Sequence, residues 1–175
     1  QDNPAIATAP YGVNLVALSD NKRLHNDFST CVTHKVPIII TSMQPPKEFV
    51  DEVHRYGGLH FHDVISMRHA EKAIAAGVDG LVLVCSGAGG HAGMLNPFAF
   101  TKAVRKQFDG IILLAGALSS GADVRAAQLM GADFAYIGTK FIACHEANAD
   151  DDYKQMLIDS SISDIIYTPQ FTGIN

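Results

Sequence analysis

The stretch GIILLAGALSSGADVRAAQLMGADFAYIGTK, residues 110–140, decides the fold. It opens with a short apolar run (110–115), passes through a loop rich in Gly and Ser, continues as a segment with helical spacing, and reaches a second apolar run (134–138). Near-continuous apolar runs are typical of strands that are buried on both faces, as in a parallel sheet covered by helices. The stretch therefore predicts a β-α-β unit.

The same run–loop–helix pattern repeats towards the N-terminus. Earlier apolar runs lie at 11–18, 37–41, 59–65 and 80–84, and the segments between them have helical spacing, at 21–35, 45–58 and 66–77, or predict a helix from near Pro97. Strands that alternate with helices predict an α/β protein with a parallel sheet. Six β/α units fit either an open doubly wound sheet or a (β/α)8 barrel, seen whole or in part. The tail 151–175 departs from the pattern and predicts a helix over 152–159, then strand or loop.

The composition of the chain limits the classes of protein to which it can belong. The 175 residues are 47% apolar and 18% charged with a net charge of -5, which predicts a single globular domain over 1–175 that attracts neither nucleic acid nor acidic membranes. The cysteines are Cys31, Cys85 and Cys144, too far apart for a disulfide framework or a zinc ribbon. With no signal core at the N-terminus and no apolar run long enough to span a bilayer, we expect a cytoplasmic protein.

Two kinds of ligand are disfavoured by the motifs. GAGGHA (87–92) can be written as G-x-G-x-x-A, but the next helix is predicted several residues too late, and the next strand ends at Ala115-Gly116 without a carboxylate for a ribose. His60 and His62 lie two apart on a strand and share a face, as in some zinc sites. The later strand ends do not complete such a site, so we assign no metal and expect one histidine in the core and the other at a pocket mouth.

Phosphate binding is favoured by two successive loops. The segments 115–121 and 136–140 both carry glycines after an apolar run, and backbone N–H groups in such loops bind phosphate without a basic side chain. In (β/α)8 barrels a phosphate site recurs after strands 7 and 8. With these loops in that place, YGVNL (11–15) becomes strand 3, and we expect barrel strands 1 and 2 to lie outside this chain.

The motifs together resemble the nitronate monooxygenase family, formerly called 2-nitropropane dioxygenases. The matching segments are GVDGLVLVCSGAGGHAG (77–93), residues 110–147, YGVNL, and FTGIN (171–175), in the family's order. The resemblance implies a partial (β/α)8 barrel that binds FMN and oxidises alkyl nitronates, such as propionate 3-nitronate, with O2. The expected partners are thus small molecules, with self-association left open.

The resemblance also implies roles for individual residues. His91 corresponds to the family's catalytic base. The residues implied in FMN binding are Asn14 of the G-V-N-L segment, the loop glycine Gly89, the phosphate pair Gly116 and Ala117, and the second phosphate segment Tyr136, Ile137, Gly138 and Thr139. A neutral imidazole, with an ordinary pKa of about 6.5, can take a proton from a carbon acid near neutral pH.

The chain departs from the family at several positions. Cys85-Ser86-Gly87 stands where a Gly-x-Glu is frequent, Val84 replaces a polar residue, and Ala117 replaces a glycine. The family's opening Pro-Met segment and much of its C-terminal portion are not in this sequence. These departures leave FMN as the expected cofactor and keep two alternatives open: an FMN- and NAD(P)H-dependent reductase of the enoyl-acyl-carrier-protein reductase type, or a flavin-binding protein without turnover.

Several reactive side chains are expected to be structural. Cys85 is interpreted as a small buried residue and not as a nucleophile. The histidines on helix-like segments are expected to be solvated: His25, His34, His54, His69 and His145. The carboxylates Asp150, Asp151 and Asp152 are expected at a helix start, where they suit the helix dipole.

Overall fold

A computed structural model describes residues 9–44 and 47–170 of the chain. Strands and helices alternate along it. The strands are β1 (Gly12–Ala17), β2 (Ile38–Met43), β3 (Leu59–Val64), β4 (Gly80–Val84), β5 (Ile111–Ala115) and β6 (Phe134–Tyr136). The helices are α1 (Leu24–Thr33), α2 (Lys47–Arg55), α3 (Met67–Ala76), α4 (Pro97–Arg105), α5 (Gly121–Leu129), α6 (Thr139–Ile142) and α7 (Asp151–Asp159), followed by a 3-10 turn at Ile162–Asp164.

The strands form a six-stranded sheet in chain order, and the pairs β1–β2, β2–β3 and β5–β6 are parallel. The predicted α/β class with six β/α units is confirmed. Residues 165–170 form no regular element, which agrees with the loop alternative for the tail. The matched segment FTGIN lies outside the described residues.

The chain divides into two compact units, of which the first is Gln1–Val64 with Arg68–Leu81. One face of its strands packs against α1 and α2, and this core contains Leu15, Ile39, Phe28, Phe49 and Val53. The rings of Phe28 and Phe49 lie 4.6 Å apart between centroids at 59°, a favourable tilted arrangement. Because side chains alternate along a strand, Asn14, Ile40 and Phe61 lie on the opposite face of the sheet.

The second unit is Ile65–Met67 with Val82–Asn175. Two of its helices begin at side-chain caps: Asn96 accepts the N–H of Phe98 before α4, and Ser120 forms a reciprocal capping box with Asp123 before α5. Phe100 and Val104 of α4 and Leu114 of β5 are buried in its core.

Arg105 links several segments at one end of this second unit by hydrogen bonds. Its guanidinium donates to the carbonyls of Phe108, Gly110 and Gly131 and to the carboxylate of Asp133, at 2.7–3.3 Å. Asp133 in turn accepts the N–H of Ile112 at 2.7 Å. Burial opposes the charge on Asp133, but these donors outweigh it and hold the pKa of that carboxyl below its ordinary value. The amino-terminal ends of β5 and β6 are therefore tied to the end of α4.

Candidate functional site

His91 lies in a long glycine-containing loop between β4 and α4. Its side chain is exposed, whereas Ala92 and Gly93, which follow it, are buried. A Cβ on Gly93 would collide with the carbonyl oxygen of Val84, so only glycine lets the loop return this closely to the end of β4. The loop is also held by the N–H of Ser86, which donates to the carbonyl of Leu95 at 3.0 Å. His91 is therefore presented at the surface by a backbone that is anchored on both sides.

Three loops of the second unit meet at the carboxyl ends of β4, β5 and β6. The N–H of Ala117, in the loop after β5, donates to the carbonyl of Gly87 at 2.9 Å. A Cβ on Gly89 would collide with the hydroxyl of Thr139, in the segment after β6. The predicted residues Gly89, Ala117 and Thr139 are thus brought together with the His91 loop. A side chain from the C-terminal part of the chain joins them, because the N–H of Gly87 donates to the hydroxyl of Tyr167 at 2.6 Å.

The loop after β5 has an unusual backbone. Gly116 has φ = 132°, and a Cβ there would lie 2.8 Å from the carbonyl oxygen of Ser86. Ala117 has φ = 54°, the left-handed conformation that glycine adopts without cost and alanine does not. The replacement of the family's glycine by Ala117 therefore strains the backbone at this position.

Three N–H groups of the β5 loop already have acceptors. Ala117 donates to Gly87, and the N–H groups of Ser119 and Ser120 donate to the Asp123 carboxylate at 2.9 and 2.8 Å. The hydrogen bond from the Ser119 N–H, followed by those from Ser120, lowers the pKa of Asp123. An internal carboxylate thus already occupies the anion-stabilising position at the start of α5.

The segment after β6 leaves more donors available. Gly138 precedes α6, and a side chain at Gly138 would meet nothing within 4 Å. The first N–H groups of a helix have no acceptor within that helix, and among the described residues no backbone carbonyl accepts the N–H of Thr139 or Lys140. Because α6 has only four residues, an anion here would be bound by individual N–H groups and the Thr139 hydroxyl. Tyr136 and Ile137, which lead into this segment, are half-buried.

Asn14 belongs to the first unit and lies in a row of polar side chains. Its amide is 3.4 Å from the Ser42 hydroxyl, and that hydroxyl donates to Asp63 at 2.8 Å. The row crosses β1, β2 and β3 on the face opposite α1 and α2. Burial raises the pKa of Asp63 to about 6, against the smaller lowering effect of Ser42 and Asn14.

His60 and His62 lie on the helix-covered face and share one partner. Thr41 Oγ1 is 2.8 Å from His62 Nδ1 and 3.4 Å from His60 Nε2, so the predicted common face is observed. Both histidines are buried, at 0% and 4% exposure, and burial lowers the pKa of each to about 4. The expectation that one would line a pocket mouth is wrong, because both side chains are buried. Among the described residues, no group of three His, Cys, Asp or Glu could hold a metal ion.

The remaining reactive side chains are placed as expected. Cys85 is fully buried and burial raises the pKa of its thiol to about 11, which argues against a nucleophile. Asp150, Asp151 and Asp152 are exposed at the start of α7. The five histidines predicted to be solvated are exposed, although His54 also pairs with Asp79 at 2.8 Å. No described helix is both long and apolar enough to cross a membrane.

The sequence profile of the nitronate monooxygenase family matches residues 3–175, and the chain belongs to this family. The nitronate monooxygenase of Paraburkholderia phytofirmans is 29% identical over 138 residues, which cover 74% of this chain and 38% of that protein. A probable nitronate monooxygenase of Staphylococcus haemolyticus is 27% identical over 174 residues, which cover 91% of this chain and 48% of that protein. The chain therefore spans less than half of the length of these curated relatives.

Solved structures show the same fold. FabK from Thermotoga maritima matches with a TM-score of 0.85 and 26% identity, over 94% of this chain and 52% of that one. The nitroalkane oxidase from Streptomyces ansochromogenes matches with a TM-score of 0.75 and 22% identity, over 86% and 56% of the two chains. These likenesses, with the parallel sheet, confirm the predicted partial (β/α)8 barrel.

Within each unit, the structure adds residues that sequence reasoning did not select. Ser42 and Asp63 are joined to Asn14 by hydrogen bonds, and Tyr167 is joined to the His91 loop. A signal for Asp63 was present, because a carboxylate inside the apolar run LHFHDVI is unusual. Tyr167 carried no such signal, since its contact partner lies 80 residues away.

Proposed function

We propose that this chain is part of an FMN-dependent enzyme that oxidises alkyl nitronates, such as propionate 3-nitronate, with O2. The observation that carries the proposal is the meeting of three loops in the second unit, around a loop that presents His91 at the surface. Membership of the nitronate monooxygenase family supports the reaction class. The residues implied by the resemblance after β4, β5 and β6 are therefore neighbours in space.

The FMN phosphate would be held mainly by the segment after β6. The N–H groups of Thr139 and Lys140 and the Thr139 hydroxyl fit an anion. Ala117 donates its N–H to Gly87, so it would line the site without donating to the phosphate. We assign Gly116 and Gly138 the role of keeping the approach clear of side chains. When bound, FMN supplies the electron transfer and the reaction with oxygen.

Gly138→Asp tests this placement. A side chain at Gly138 has open space, and Asp is a favourable residue before a helix, so the variant is expected to fold. Its carboxylate would repel the phosphate by up to several kcal/mol at about 4 Å. We expect FMN affinity to fall by about 10- to 1000-fold, measured by fluorescence titration. Gly138→Asn is the matched control with the same shape and no charge; equal losses in the two variants would place the phosphate elsewhere.

His91 would act on the substrate. In this role its imidazole takes the α-proton of a nitroalkane: the C–H bond breaks, an N–H bond forms on the ring, and the electron pair moves onto the nitro group to give the nitronate. With a preformed nitronate, His91 only orients the anion. The exposed position of His91 on an anchored loop supports this role.

His91→Asn separates the two roles. Asn fits the loop and hydrogen-bonds, so fold and FMN content should persist. Oxidation of a neutral nitroalkane should fall about 10²–10⁴-fold, the usual contribution of general-base catalysis, and oxidation of the preformed nitronate should fall less. Equal losses on both substrates would make His91 an anion-orienting residue and not a base. No loss on either would remove it from the reaction.

The alternative is an FMN- and NAD(P)H-dependent reductase. One departure from the family leaves this alternative open, because Cys85-Ser86-Gly87 stands where the family often has a glutamate. Anaerobic mixing with NADH or NADPH distinguishes the two functions. Rapid bleaching of the flavin absorbance, with no turnover of nitronate in air, would support the reductase.

A further inference from the structure

A tyrosine in the C-terminal part of the chain is hydrogen-bonded to the start of the His91 loop. The N–H of Gly87 donates to the Tyr167 hydroxyl at 2.6 Å, although the two residues lie 80 positions apart, and both belong to the second unit. Tyr167 lies in the segment 165–170, which has no regular structure. Among the described residues of that segment, this is the one hydrogen bond that reaches beyond the turn at Ile162–Asp164. Tyr167 therefore connects the C-terminal segment directly to the loop that carries His91.

The backbone of Gly87 sets the direction in which the loop leaves β4. Its φ of 90° lies in the left-handed region, and a Cβ there would lie 2.9 Å from the Cβ of Ala117, so a residue with less conformational freedom does not fit. Tyr167 binds the N–H of Gly87, and the N–H of Ala117 binds its carbonyl at 2.9 Å. The peptide plane before Gly87 and the plane after it are thus each held by one partner.

The position of His91 depends on such holds because the loop has little stiffness of its own. Two of the three residues between Gly87 and His91 are glycines, which are the most flexible residues in a chain. The N–H of Ser86 donates to the carbonyl of Leu95 at 3.0 Å and so closes the segment 86–95 at its base, with His91 near the middle. Loss of the hold at Gly87 would therefore widen the range of positions that His91 occupies.

Tyr167 contributes to the loop through its hydroxyl more than through packing. Its side chain is 51% exposed, and the neighbouring Ile165 and Ile166 are also exposed. Tyr167→Phe therefore creates no cavity and removes one acceptor from a backbone N–H. The substitution isolates the hydrogen bond to Gly87 from the rest of the segment.

We propose that Tyr167 is a positioning residue for His91, because its hydroxyl holds the peptide plane before Gly87 and so fixes the direction in which the loop presents the imidazole. The inference rests on the proposed function, since the position of His91 matters to the reaction only if His91 takes a proton from the substrate. Tyr167 acts through the loop and needs no contact with substrate or flavin.

Tyr167→Phe in the FMN-loaded enzyme tests this role with two substrates. The kcat for a neutral nitroalkane, measured by oxygen consumption, should fall about 3- to 10-fold, the equilibrium factor of one ordinary hydrogen bond, with KM changed less than about twofold. Oxidation of the preformed nitronate should fall less, because no proton is taken from carbon. Tyr153→Phe, which removes the hydroxyl of an exposed tyrosine on α7, is the matched control and should keep the rates of the unsubstituted enzyme.

Two further measurements separate positioning from a general loss of structure. When His91 is already replaced by Asn, adding Tyr167→Phe should cause no further loss, because the effects of residues that act through one another are not additive. Hydrogen exchange of the Gly87 amide, followed by NMR, should be faster in Tyr167→Phe and unchanged in Tyr153→Phe.

The outcomes separate the two proposals. Equal losses on both substrates, no loss on either, or an undiminished further loss in the His91→Asn background would overturn the positioning role and leave the proposed function intact. Unchanged exchange of the Gly87 amide in Tyr167→Phe would also overturn it. An unsubstituted enzyme that oxidises the nitronate but not the nitroalkane would remove the proton transfer, and the inference would fall while nitronate oxidation stands. Failure to bind FMN or to oxidise either substrate would refute the proposed function itself.

Discussion

The buried pair His60 and His62 should make the protein sensitive to mild acid. The pKa of each is lowered from 6.5 to about 4, so both stay neutral in the native state while the unfolded chain takes up protons. Their contribution to the free energy of unfolding is complete above about pH 6.5 and is lost as the pH falls towards 4. At 1.36 kcal/mol per pKa unit, each histidine accounts for about 3 kcal/mol of lost stability, a large share of the roughly 5–15 kcal/mol typical of a domain.

Asp63 acts in the opposite direction. Its pKa is raised from 3.8 to about 6, so the native state holds a proton there that the unfolded chain has lost. Its contribution is complete below about pH 3.8 and disappears as the pH rises through 6. Between about pH 4 and pH 6 the unfolded chain therefore binds a net of one extra proton from these three groups. These three groups should lower the free energy of unfolding by roughly 1 kcal/mol per pH unit on acidification.

Single substitutions should change this slope, because each removes one titrating group from the difference in bound protons between the unfolded and native states. His62→Asn keeps an acceptor for the Thr41 hydroxyl and removes one titrating group, so the slope should fall to about zero. Asp63→Asn removes the opposing group, so the slope should rise to roughly twice that of the unsubstituted chain. Urea unfolding followed by far-UV circular dichroism, at intervals between about pH 4.5 and pH 6, measures these slopes.

An exposed histidine provides the control. His145→Asn, in the turn after α6, should keep the slope of the unsubstituted chain. The reasoning would be refuted if His62→Asn had the same slope as the unsubstituted chain, or if Asp63→Asn made the slope smaller.

Further substitutions probe the second unit. Ala117→Gly should stabilise the chain by about 0.5–1 kcal/mol, seen as a higher Tm, because it removes a left-handed alanine. Gly93→Ala should destabilise it by about 1–3 kcal/mol in urea, because the new Cβ collides with the Val84 carbonyl, while Gly121→Ala, which has open space, should not. Arg105→Ala should cost about 2 kcal/mol in the same assay, since it removes charged donors to several carbonyls and a carboxylate; an unchanged midpoint would contradict the assigned role.

The sequence by itself determined the elements and their order. Apolar runs and helical spacing depend on local periodicity, so all six strands and the helices between them were predicted within a few residues. Gly116 was assigned to a loop suited to phosphate because glycines that follow an apolar run are visible in the sequence. The grouping of the loops after β4, β5 and β6 also followed, because parallel strands bring their carboxyl ends to one edge.

Only the tertiary structure decided which polar side chains became partners. The period of two showed that His60 and His62 share a face, but not that packing on that face removes both rings from water. It could not show that Ser42 joins Asp63 to Asn14, because those contacts depend on the register of three separate strands. Burial and hydrogen bonding across strands arise from packing of residues distant in the chain, and such packing sets the pKa of Asp63, His60 and His62.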